Sequence, residues 1–80
     1  MFHYDVLIKA IPEIENVVDE NRWNEFNTMR QEKVSLLNIA SKLQISIIQA
    51  MALEVARKCI IKWNGDTENL GKCLKGEIDP

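Results

Sequence analysis

Eighty residues with 46 % apolar side chains, three glycines, two prolines and a net charge of −2 read as one folded domain, residues 1–80. Apolar content this high with so little net charge excludes a chain that stays disordered. At 9.2 kDa the chain removes roughly 60–65 % of its extended surface from water on folding, a real core with little to spare.

Two cysteines, Cys59 and Cys73, exclude the disulfide framework of small secreted scaffolds. The expectation is that both stay reduced and behave as small hydrophobes. The longest uncharged run, Leu43 to Leu53, is short of the roughly 20 residues of a spanning helix. The start, MFHYD, has neither the basic region nor the apolar stretch of a secretory signal. A soluble, cytoplasmic protein is therefore expected. Charge is unevenly spread: residues 1–32 hold seven acids against three bases, and residues 33–63 hold five bases against one acid. Packed side by side, within one chain or between two, these segments would attract each other.

In chain order, residues 2–11 fit a helical stripe through Phe2, Val6 and Ala10 with Leu7, Ile11 and Ile14, although partial alternation leaves a strand open. Pro12 fits the first turn of a second short helix, with Ile14, Val17 and Val18 inward and Glu13, Glu15, Asp19 and Glu20 outward. Asn21 or Asn24 is a candidate cap, and Thr28 to Gln31 has the spacing of a capping box. Trp23 and Phe26, three apart, are core anchors. Residues 33–63 contain no Gly or Pro and read as one long helix stopped by Asn64-Gly65. A last helix from about Thr67 to Lys75 is capped by Asp66 and closed by Gly76.

The apolar positions of the long segment do not fall on one stripe. Leu36, Ala40, Leu43 and Ile47 share one side, and Ile48, Ala52, Val55 and Cys59 lie further round. A helix apolar nearly all round needs covering nearly all round, and a second copy of the chain is the expected cover, with a two-fold dimer as the ordinary symmetry. Leu43, Ile47, Ile48, Met51 and Val55 are the candidate protein-interface residues. A break between Lys42 and Ser46 would instead give two differently oriented helices. Arg57, Lys58 and Lys62, read as projecting opposite Ile48, Ala52, Val55 and Cys59, are candidate contacts for an anionic partner.

The segment Leu36 to Val55, about a quarter of the chain, resembles a helix-turn-helix DNA-binding motif. Ala40 stands where that family places a small residue at the helix crossing, and Leu43, Ile45 and Ser46 follow like its Leu-Gly-Ile-Ser turn. The resemblance implies DNA binding through residues 36–56. It departs at Gln44, where glycine is usual because the position needs φ > 0, and at Ile47 and Ile48, which open the helix that should present polar groups to base edges.

Nothing in the sequence carries catalysis or cofactor binding. His3 is the sole histidine, no Cys-x-x-Cys or His pair supplies metal spacing, and the three glycines punctuate helices instead of forming a phosphate loop. The expectation is an all-α bundle of about four helices dominated by a long central helix and assembled as a dimer. It would act as a regulatory, inhibitory or adaptor subunit that binds protein, itself included, with no enzyme activity, cofactor, membrane or small-molecule substrate. The alternatives are the DNA-binding regulator and an accessory subunit of an enzyme.

Overall fold

The structure, a computed structural model, describes residues 2–80. Helix α1 (Tyr4–Ala10) is followed by a 3₁₀ turn (Pro12–Asn16), then α2 (Glu20–Gln31), α3 (Leu36–Leu43), α4 (Ile47–Lys62) and α5 (Thr67–Leu74). No strand occurs among the described residues, so the all-α reading holds. Among the described residues there are five α-helices, where about four were expected.

The polar groups of the N-terminal segment find partners on α2 and in the residues just before it, not along a sheet edge. Tyr4 Oη donates to the Val18 carbonyl oxygen at 2.8 Å, and Trp23 Nε1 donates to the Phe2 carbonyl oxygen at 2.8 Å. Leu7, Ile14 and Val18 then close over Trp23 and Phe26, whose rings stack with centroids 5.8 Å apart. Pro12 opens the 3₁₀ turn, where its missing N–H costs nothing. The cap of α2 is Asp19, whose side chain accepts from the Arg22 N–H at 2.8 Å. Thr28 to Gln31 lie inside that helix, so their capping-box spacing has no cap to serve.

The long helix expected over residues 33–63 is interrupted. The chain turns by 113° between α3 and α4, across Gln44, Ile45 and Ser46. Gln44 adopts the left-handed conformation at φ 57°, and the Ile45 N–H reaches back to the Ala40 carbonyl oxygen at 3.0 Å. This is a Schellman ending with a non-glycine residue in its left-handed position, a conformation that costs about 1–2 kcal/mol for an L-residue. Ser46 then caps α4 in a reciprocal capping box with Gln49, so local signals for stopping and restarting outweigh the absence of Gly and Pro. The same ending closes α2 at Lys33, φ 64°.

The C-terminal helix follows its sequence signals. Asp66 accepts from the Asn69 N–H at 3.1 Å, and Gly76 takes φ 80° at the end. Its inner face, Leu70, Cys73 and Leu74, packs on α4. The thiols are not free: Cys59 of α4 and Cys73 of α5 form a disulfide. The expectation of two reduced cysteines is thereby corrected, and the cytoplasmic reading loses the argument drawn from them. No single helix among the described residues is long and apolar enough to cross a membrane.

Candidate functional site

Helix α4 is the element every other feature converges on. Facing inward are Ala50, Leu53, Ala56, Cys59 and Ile60, covered by α3 and α5. One carboxylate joins them: Glu54 is only 7 % exposed. Arg30 of α2 grips it with both forks, Nε to Oε1 at 3.0 Å and Nη2 to Oε2 at 2.9 Å, and Arg30 Nη1 donates to the Val34 carbonyl oxygen at 2.9 Å. Hydrogen bonding to Glu54 raises the Arg30 pKa above its ordinary value, against the lowering effect of burial. The arrangement fixes the end of α2, the loop before α3 and the middle of α4 with one guanidinium, a geometry lysine lacks.

The outer face is the reverse. Ile48 is 75 % exposed, Met51 54 % and Val55 49 %, and Ile47 and Ala52 are exposed beside them. Positions 48, 51, 55, 58 and 62 follow the 3–4 alternation of a seam that meets a facing helix. Apolar side chains occupy its first half, and Lys58 and Lys62 its second. Leu37 on α3 and Ile61 at the edge of α4 are large exposed apolar side chains as well. Contiguous apolar exposure of this kind marks contact surfaces more often than bare surface.

Several residues singled out from sequence land elsewhere. Leu43 is buried and belongs to the core under the turn, so it is not a surface contact. Ile47, Ile48, Met51 and Val55 share the exposed face. The cationic trio is split. Lys58 and Lys62 lie on the same face as Ile48 and Val55, not opposite it, while Arg57 is turned about 100° from Lys58 toward the interior. The Arg57 side chain is 17 % exposed, with its Nη1 3.8 Å from Glu54 Oε1. Lys62 holds its ammonium 5.3 Å from the Trp63 ring centroid. The expected attraction between the acidic first third and the basic middle takes an inverted form. The ion pair joining them among the described residues uses Arg30 from the acidic segment and Glu54, the single acid of the basic one.

No family model, curated protein or solved structure matches this chain. What the site can do therefore rests on its own geometry. The bend between α3 and α4 lies within the 90–120° of helix-turn-helix pairs, with Ala40 buried and Gln44 in the left-handed conformation. The second helix nevertheless presents Ile48, Met51 and Val55 where base-reading donors would stand. Sequence reasoning missed the Arg30–Glu54 clamp. A lone acid on the inward side of an apolar helix was its available signal, because such a group needs a cation wherever it is buried.

Proposed function

We propose that this protein is a small protein-binding module of regulatory, inhibitory or adaptor type, working as a homodimer through the outer face of α4 and acting by binding instead of catalysis. The observation that carries the reading is the exposure of Ile48, Met51 and Val55 along one side of a helix whose other side is closed. Self-association is favoured by the seam-like spacing, which presents a facing helix with interlocking positions, and by two-fold symmetry, which lets one patch serve both copies. The many acids of residues 1–32 that form no ion pair among the described residues add long-range attraction for the Lys58 and Lys62 end of a second molecule.

The test is dilution. In ¹⁵N-resolved spectra across a concentration series, backbone amides of residues 47–55 should shift with concentration while those of α1 and α2 stay fixed. Shifts that are absent at every concentration, or confined to other elements, reject the homodimer. The second reading is the DNA-binding regulator using residues 36–56, favoured by the 113° turn. A gel-shift titration separates the two: DNA binding would weaken steeply with salt, and no shift at low salt removes that reading.

A further inference from the structure

A concavity lies away from the α4 seam, where the N-terminus, α2 and α4 meet. This groove of about 270 Å³ is lined by His3, Asn27, Gln31, Arg57, Asn64 and Ile60, among others. No carboxylate lines it among the described residues, although the chain holds twelve acids. Its one permanent charge is the Arg57 guanidinium, largely buried and without a hydrogen bond to any described residue. The nearest carboxylate oxygen, Glu54 Oε1, is 3.8 Å away and already accepts from Arg30 Nε at 3.0 Å. Two guanidiniums therefore share one carboxylate, which leaves one positive charge in excess at Arg57, a residue that lines the groove. Three amide side chains line the groove with it, Asn27, Gln31 and Asn64; Asn27 is buried and uses Nδ2 to reach the Trp23 carbonyl oxygen at 2.8 Å, which leaves its second N–H free.

We propose that this groove binds a small oxyanion, a carboxylate or phosphate group, with Arg57 as its bidentate anchor and the amides of Asn27, Gln31 and Asn64 as supporting donors. A planar guanidinium with unused donors matches such groups in shape and charge. The incoming anion supplies the negative charge that Glu54 cannot give twice. This site is independent of the dimer reading, because Arg57 lies off the seam.

The test is an NMR titration of the oxidised full chain with sodium phosphate and, separately, sodium acetate, with sodium chloride holding ionic strength constant. The expected result is saturable shifts of the Arg57 Nε–H and of the Asn27, Gln31 and Asn64 side-chain amides with at least one of the two. The preferred anion identifies the ligand class. Arg57→Gln should weaken binding by roughly tenfold or more, as loss of a charged bidentate contact does. Gln31→Glu, at an exposed position, should abolish binding by placing a carboxylate at the groove, with spectral dispersion retained. Lys75→Gln, at the end of α5 and not lining the groove, should bind as wild type. Shifts that rise linearly without saturating, that chloride reproduces, or that persist unchanged in both Arg57→Gln and Gln31→Glu would overturn the assignment.

Discussion

Each side of helix α4 carries an exception to the usual rule of soluble proteins. The inner side buries a carboxylate, and the outer side leaves isoleucine, methionine and valine in water. A buried charge and an exposed apolar stripe are the two observations that composition alone does not explain. The inner side is closed by its neighbours: Arg30 binds both oxygens of Glu54, α3 and α5 cover the apolar residues, and a disulfide holds α5 in place. The outer side has no such closure. The difference teaches that α4 is closed by its neighbours on one side and left open on the other, and the two sides should answer mutation differently.

Glu54→Ala should be the most damaging change. It leaves two partly buried guanidiniums facing each other, and breaking a buried pair from one end costs about 3 kcal/mol. Urea unfolding measures this, and a loss below about 1 kcal/mol would show that the clamp is ornamental. Reducing the Cys59–Cys73 bridge should cost about 2–3 kcal/mol, the worth of closing a loop of this length. That loss should appear as a lower Tm, with faster hydrogen exchange concentrated in α5. An unchanged Tm under reductant would mean that packing alone holds α5. Gln44→Gly should stabilise by about 0.5–1 kcal/mol, since glycine takes the left-handed conformation without a side-chain clash. A destabilised variant would show that the Gln44 side chain contributes more than its backbone costs.

Much of this fold was readable in the residues. The caps at Asp66 and Gly76, the aromatic anchors Trp23 and Phe26 and the helical class all follow from local chemistry. The continuous helix over residues 33–63 failed because Gln44 pays the left-handed cost that glycine normally avoids, hiding the stop. Ser46 and Gln49 recorded the restart, and the rotation of the apolar stripe after Leu43 was its trace. Leu43 was misplaced for the same reason: on an unbroken helix it shares a side with Ile47, but the turn that follows it separates the two and leaves Leu43 buried and Ile47 exposed. Ile47, Ile48, Met51 and Val55 were legible as apolar positions in excess of what one short chain can cover. The Arg30–Glu54 clamp was not, because pairing across 24 residues depends on how α2 meets α4, which no local pattern specifies.

The smallest effect on stability and the largest on behaviour should come from Ile48→Asp, within about 0.5 kcal/mol of wild type, as for surface sites in general. Sedimentation equilibrium of wild type and Ile48→Asp, from low micromolar to the highest soluble concentration, tests the outer face directly. The wild-type mass should climb from 9.2 kDa toward twice that value, while Ile48→Asp stays monomeric with full helix content. A wild-type chain that remains at 9.2 kDa throughout, or a variant that associates equally well, would contradict the account.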